Sequence, residues 1–186
     1  MAEATTLSAV RPAPAGALQA AFESVRQGPM RDVPMLNPKI GVEAVGFRPW
    51  SEHWLGILIT PWFMNLVLMP RVIAEWQPIG VGETRCHVFP AGVFEFIGGH
   101  EPSLGDYQAC SLFSPMFEFA DHAAAHATAQ AALAALFDVT SREHDAVPTM
   151  PLGAGATGAT GADVPGGPLS KRDFLFGSPA RAGREP

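Results

Sequence analysis

The sequence is short of the residues that several common binding chemistries require. Only 12 lysine and arginine residues stand against 18 aspartate and glutamate residues, which gives a net charge of −6. Nucleic acids and anionic membrane surfaces select basic patches, so this charge balance argues against both as partners. The two cysteines, Cys86 and Cys110, do not lie in CxxC pairs. Two isolated cysteines build no disulfide framework, which favours reduced thiols in a cytoplasmic protein.

Long apolar runs are also scarce. The longest, WLGILITPWFMNLVLMP at residues 54–70, is interrupted by Pro61 and Asn65. A membrane-spanning helix needs about 20 apolar residues, so we expect no stable membrane insertion. Two adjacent buried strands joined by a turn explain this run better than a helix does. The first sixteen residues, MAEATTLSAVRPAPAG, contain no apolar core of a secretory signal.

No catalytic constellation is recognisable in the sequence. It contains no nucleophile elbow, no phosphate-binding loop and no obvious pair of catalytic carboxylates. This absence favours a binding protein that is not an enzyme, and we expect no cofactor. A small-molecule enzyme is the weaker alternative, and it would require an acid–base pair to meet in a pocket.

The hydrophobic patterning predicts an α+β fold. Leu18, Ala21 and Phe22 fall at helical spacing within residues 15–27, which predicts an N-terminal amphipathic helix. Strand patterns follow at IGVEAVGFRPW, HWLGILIT, PWFMNLVLMP, TRCHVFP, GVFEFIGG and LGDYQACSLFS. A long alanine-rich helix should then run to about residue 137, with Ser114 as its cap and Pro115 in its first position. The prediction is a mostly antiparallel sheet packed by an N-terminal and a long C-terminal helix.

Composition divides the chain into one domain and two ends. We expect a flexible N-terminus at residues 1–12 and a single α+β domain at residues 13–145. Residues 146–186 are dense in glycine, alanine and proline and hold little to bury, which predicts a disordered tail.

Histidine and cysteine residues raise the question of a metal site. His122 and His126 lie one helical turn apart, a spacing that can hold zinc or nickel, and Cys86 and Cys110 could add ligands. The same residues are also typical of solvated histidines on a helix and of small core thiols. A metal or iron–sulfur handling factor therefore remains an alternative to a purely protein-binding role, with no metal ligand assigned.

Aromatic and methionine residues concentrate in two motifs beside prolines. The first is Trp62, Phe63, Met64 and Asn65, and the second includes Phe113, Met116, Phe117 and Glu118. Adaptable surfaces of this composition suit apolar peptides of variable sequence. Because acidic side chains lie nearby, the expected partner carries basic residues followed by an apolar run.

These motifs also carry a resemblance. The segments VEAVGFRPWSEHWLGILITPWFMNLVLMP and FPAGVFEFIGGHEPSLGDYQACSLFSPMFEFAD, with the helix that follows, resemble the HybE/HupJ family of [NiFe]-hydrogenase assembly chaperones over about residues 40–137. The resemblance implies a cytoplasmic accessory protein that holds the hydrogenase small-subunit precursor until assembly is complete. That precursor bears a twin-arginine signal and receives iron–sulfur clusters. Other accessory proteins are further expected partners, and the two aromatic motifs are the expected contact surface.

The segment SKRDFLFG at residues 170–177 looks like part of a twin-arginine signal placed at the wrong end of a chain. The residues that share features with such a signal are Ser170, Lys171, Arg172, Phe174 and Leu175. A chance similarity is one interpretation. A second is that the segment mimics the client's signal and occupies the client's site, and a third is that it recruits another protein.

Overall fold

Residues 10–138 of the chain are described by a computed structural model, and residues 1–9 and 139–186 lie outside the described part. The predicted tail at residues 146–186, its motif at residues 170–177 and most of the predicted flexible N-terminus therefore fall outside the described residues. None of the helices within residues 10–138 is long and apolar enough to cross a membrane.

The described chain forms one antiparallel sheet between two helices. Helix α1 precedes the sheet, helix α2 follows it, and the elements are α1 (Ala15–Gln27), β1 (Glu43–Trp50), β2 (His53–Ile59), β3 (Met64–Pro70), β4 (Thr84–Phe89), β5 (Gly92–Glu101), β6 (Gly105–Phe113) and α2 (His122–Ala135). The strand order is β1-β2-β3-β6-β5-β4, and every neighbouring pair is antiparallel. This architecture confirms the predicted α+β fold, and α1 has the bounds that the sequence predicted.

The apolar run at residues 54–70 forms two paired strands, as expected. Strands β2 and β3 pair from His53 opposite Pro70 to Ile59 opposite Met64. The turn between them is organised by Thr60, whose buried Oγ1 accepts from the backbone N–H of Phe63 at 3.0 Å and donates to the Phe63 carbonyl oxygen. β1 and β6 flank this pair in the sheet, and β2 and β3 are buried on both faces because α2 packs on one side and α1 on the other.

The two faces of the sheet build two separate cores. Side chains of Leu55, Ile57 and Ile59 point to the α2 face, and Leu58 points to the α1 face. Helix α2 contributes mainly small residues to its core, namely Ala125, Ala129, Ala132, Leu133 and Leu136. Helix α1 contributes Leu18, Ala21 and Phe22 to the other core.

The expected start of the second helix was wrong. The sequence placed its cap at Ser114, whereas the helix begins at His122 and Asp121 caps it by accepting from the backbone N–H of Ala124 at 2.8 Å. Residues 114–121 form a loop that directs Met116 and Phe119 into the core. The carbonyl oxygens of both residues accept hydrogen bonds from Asn37 Nδ2, at 3.0 and 2.9 Å. This distant partner, which local sequence does not reveal, stabilises the loop in place of another helical turn.

Asn37 links three segments of the chain and is itself buried. Besides its two side-chain bonds to the loop, its backbone N–H donates to the Pro61 carbonyl oxygen at 2.9 Å, and its Oδ1 accepts from the Lys39 N–H. Substituting Asn37→Ala removes both side-chain bonds to the loop, and the Met116 carbonyl oxygen then keeps only the bond from the Phe119 N–H at 3.3 Å. We expect the free energy of unfolding to fall by about 2–3 kcal/mol, measured by denaturant titration.

Asn65 provides the matched control for this substitution. It is an asparagine too, half-buried where Asn37 is buried, and its Oδ1 has no hydrogen-bond partner within the described residues. Asn65→Ala should therefore change the free energy of unfolding by less than about 1 kcal/mol. Equal effects of the two substitutions would show that the bonds of Asn37 do not stabilise the loop.

His53 makes stability depend on pH. Burial lowers the pKa of this imidazole, His87 and Arg85 lower it further, and Glu52 opposes them. Its ring lies among Trp50, Trp76 and His87 at centroid distances of 5.4 to 6.1 Å. Because the folded protein favours neutral His53, the stability that it contributes is complete above a pH of about 6.5 and is lost as the pH falls below that value.

The corresponding test replaces the titrating ring with an apolar ring. In His53→Phe, we expect the free energy of unfolding to decrease less between pH 7.5 and pH 5.5 than in the original chain. The variant should also be at least as stable at pH 7.5, because His53 Nδ1 is buried and has no hydrogen-bond partner among residues 10–138. Parallel pH dependences for the two proteins would exclude His53 as the titrating group.

Candidate partner-binding site

The two aromatic motifs singled out in the sequence meet at one end of the sheet. Strands β3 and β6 are hydrogen-bonded neighbours with Met64 opposite Phe113, which places the turn before β3 beside the loop after β6. The Ser114 hydroxyl donates to the carbonyl oxygen of Trp62 at 3.4 Å across this junction. We call the turn at residues 60–63 and the loop at residues 114–121 the loop end. It unites segments that are about fifty residues apart in sequence.

Two of the expected contact residues form the floor of the loop end. Met64 and Met116 have no exposed surface and belong to the core beneath α2. Phe113 is half-buried and packs edge to face on Phe119 at a centroid distance of 5.0 Å. In the described conformation these side chains support the loop and offer little or no surface to a partner.

Trp62 and Phe63 lie on the α1 side of the loop end and are half-buried. Their rings pack edge to face on each other at 5.6 Å, and Phe63 packs in the same way on Phe22 of α1 at 5.8 Å. Asn65 follows on β3 and is also half-buried. The aromatic surface at this position is therefore partly used to hold α1 against the sheet.

Phe117 is the most exposed aromatic side chain of the site, with 60% of its surface accessible. Glu118 follows it and is also exposed, as is Asp121 at the helix cap. Met35, 54% exposed, lies two residues before Asn37 in the connector that crosses the same end of the sheet. The loop end thus combines exposed apolar side chains with carboxylates, which is the composition expected for a basic and apolar partner.

His122 and His126 have a structural partner that the sequence analysis missed. Glu43 of β1 accepts hydrogen bonds on Oε2 from His122 Nε2 at 2.8 Å and from His126 Nδ1 at 2.9 Å. Burial raises the pKa of Glu43, but the hydrogen bonds from His126 and His122 outweigh that effect, so the pKa is lowered overall. Glu43 lies 79 residues before His122, so nothing in the local sequence indicates that the two side chains are partners. The three side chains tie the first turns of α2 to the edge of the sheet.

The protonation of His122 disfavours a metal ion at this cluster. Its Nδ1 accepts from the backbone N–H of Gly41 at 3.2 Å, so the proton of the neutral ring lies on Nε2. Metal binding at Nε2 would move that proton to Nδ1, where it would face the Gly41 N–H. Within residues 10–138, no group of three or more histidine, cysteine, aspartate or glutamate residues is arranged to hold a metal ion.

The two cysteines are not brought together with these histidines. Cys110 is buried in the core beneath α2, as expected for a small core residue. Cys86 is exposed on β4, which corrects the expectation that it is also a core thiol. The difference arises because Cys86 points to the face of the sheet opposite α2, at a position that α1 does not reach.

Comparison with known proteins gives these features a family context. The sequence model of the family described as "[NiFe]-hydrogenase assembly, chaperone, HybE" matches residues 13–177. The match is longer than the resemblance over residues 40–137, and it includes both α1 and the segment at residues 170–177.

Individual relatives agree with the family match. The hydrogenase expression/formation protein HupJ of Bradyrhizobium diazoefficiens is 45% identical over 119 residues, which cover 64% of this chain and 69% of the relative. Protein HoxT of Cupriavidus necator is 44% identical over 127 residues, which cover 60% of this chain and 69% of that protein.

A solved structure shares the fold. The solution structure of HybE from Escherichia coli superposes with a TM-score of 0.55 at 24% identity, covering 84% of this chain and 96% of that one. This similarity supports the sheet and helix arrangement alone. The family match and the relatives carry the assignment: the chain belongs to the HybE family of [NiFe]-hydrogenase assembly chaperones.

Proposed function

We propose that this chain binds the precursor of a [NiFe]-hydrogenase small subunit in the cytoplasm and holds it until assembly is complete. Family membership supports a role in hydrogenase assembly. The finer assignment rests on one observation, namely that the loop end presents exposed Phe117 beside the carboxylate of Glu118. A twin-arginine signal offers the complementary chemistry, because it carries cationic residues followed by an apolar run.

The burial of the surrounding residues supports a preformed contact surface. The loop end has a rigid base, since Met64 and Met116 are fully buried and Asn37 anchors the backbone of the loop. Phe117 can therefore be buried by a partner without a large ordering cost in this chain. The half-buried ring of Trp62 lies across the junction and enlarges the apolar contact. Signal peptides vary in sequence, and an aromatic surface with few directional bonds tolerates that variation.

Charge should act mainly on the rate of encounter. The chain carries a net charge of −6, and Glu118 and Asp121 are exposed at the site itself. Attraction of a cationic peptide to such a surface raises the association rate and weakens with added salt. Nothing in this interaction requires a cofactor or a reaction at the chaperone.

The direct test truncates the exposed aromatic ring. Phe117→Ala should weaken binding of a small-subunit precursor or its synthetic signal peptide by about 10–100-fold, because burying a phenylalanine contributes about 1.5–3 kcal/mol. Binding would be measured by calorimetry on the full chain. Because Phe117 is 60% exposed, the free energy of unfolding should change little.

Ile73→Ala is the matched control. Ile73 is 51% exposed, but it lies in the 3₁₀ turn after β3, at the opposite end of that strand from the loop end. This substitution should leave the affinity unchanged. Unchanged affinity in Phe117→Ala would remove the loop end from the client site. Equal capture of precursors with and without a signal would move the contact to the folded part of the client.

A further inference from the structure

Residues 10–138 leave one part of the sheet on the α1 side uncovered. Helix α1 packs over β1, β2 and β3 and reaches β6 through the contact of Phe22 with Tyr107, at 6.2 Å. Strands β4 and β5 lie beyond β6 in the strand order. On that side they present six side chains, which we call the open face: Thr84, Cys86, Val88, Val93, Glu95 and Ile97.

The open face is apolar at its ends and acidic at its centre. Val88 and Val93 are directly opposed across the two strands and are 65% and 50% exposed, and Ile97 is 48% exposed. Glu95 lies between Val93 and Ile97 on β5, opposite Cys86, and is exposed. On the other side of the same strand, Phe94 and Phe96 are buried. Clustered exposed aliphatic side chains on an edge strand and its neighbour mark a surface that something else covers.

The chain leaves the described region at the turn of the hairpin that carries this surface, on the α2 side of the sheet. The backbone N–H of Ala91, in the turn between β4 and β5, donates to the carbonyl oxygen of Leu136 at 3.2 Å. The ring of Phe137 lies 6.2 Å from that of Phe89 at the end of β4. Asp138, the last described residue, therefore follows a contact with the hairpin that carries the open face.

A segment with complementary chemistry follows in the same chain. Residues 170–177 place the cations Lys171 and Arg172 before the apolar residues Phe174, Leu175 and Phe176. These residues fall within the family match, which ends at residue 177. The intervening residues 139–169 would span about 45 Å even as a helix, which exceeds the roughly 33 Å length of a ten-residue strand. Every position on the open face is therefore within reach.

We propose that residues 170–177 dock on the open face of their own chain. The aromatic and leucine side chains cover Val88, Val93 and Ile97, and the two cations lie near Glu95. An intramolecular segment has an effective concentration in the ~mM range, so weak contacts suffice for high occupancy. This inference does not depend on which client the chaperone binds. It also separates the segment from the loop end, where a mimic of the client's signal would bind.

Cys86 provides a native reporter for this docking. It is exposed on the open face, whereas Cys110 is buried, so a thiol reagent such as DTNB should modify Cys86 first in the full chain. The double substitution Phe174→Ser and Leu175→Ser should release the segment and increase the rate of Cys86 modification by about tenfold. The ratio of the Cys86 modification rate in the double variant to that in the original chain should be independent of protein concentration, because the contact is intramolecular.

Two control variants make the test specific. Leu152→Ser lies between the described domain and residues 170–177, and it should leave the rate unchanged. Phe117→Ala at the loop end should also leave the rate unchanged. Equal Cys86 rates in the original chain and the double variant would overturn the proposal. Faster Cys86 modification in Phe117→Ala would overturn it too, because that result would assign the contact to the loop end. A ratio of variant rate to original rate that falls on dilution would also overturn it, because the contact would then be with a second copy of the chain.

Discussion

The structure depends on the burial of the central strands β2 and β3 on both of their faces. Alternate side chains of these strands point to opposite sides, so each side needs its own apolar layer. Helix α2 supplies one layer and helix α1 the other. A shift of one residue in the pairing of β2 with β3 would exchange the residues of the two cores, so the register is strongly specified. The positions of both helices, and of the loops that join them to the sheet, follow from this requirement.

Two polar connections then fix the segments that periodicity does not place. Asn37 satisfies the carbonyl groups of Met116 and Phe119, which holds the loop after β6 in a non-helical path. Glu43 accepts hydrogen bonds from His122 and His126, and these bonds attach α2 to the edge strand β1. Asn37 is buried, so leaving its polar groups unpaired would be costly, and Glu43 and the two histidines are partly buried; each connection favours one arrangement over alternatives of similar apolar burial. The exposure of Phe117 is a consequence of the path that Asn37 imposes.

One helix cannot cover a six-stranded sheet. Six strands span about 24 Å and a helix is about 10 Å wide, so part of each face remains beyond the helix. On the α2 side, a segment of the chain covers part of the remainder: the carbonyl oxygen of Gln77 accepts from Arg85 and Gln108, and the carbonyl of Gly80 lies close over Gly98. On the α1 side, β4 and β5 expose valine and isoleucine. The open face arises from this limited coverage, whereas the loop end arises from the path of the loop after β6.

Local pattern by itself determined much of this protein. Residue spacing predicted α1 with its observed bounds and the six strands. It also predicted that the run at residues 54–70 forms two strands joined by a turn. These features depend on residues that are close in sequence. The motifs TPWFMNL, FPAGVFEF and CSLFSPMFEF carried the resemblance to the family. Tertiary structure alone decided where α2 begins, since Asn37 acts from about eighty residues away, and which aromatic side chains remain exposed. Tertiary structure also decided the role of His122 and His126, whose spacing alone is compatible with a metal site. In the folded chain both histidines donate hydrogen bonds to Glu43, because only folding brings β1 beside α2.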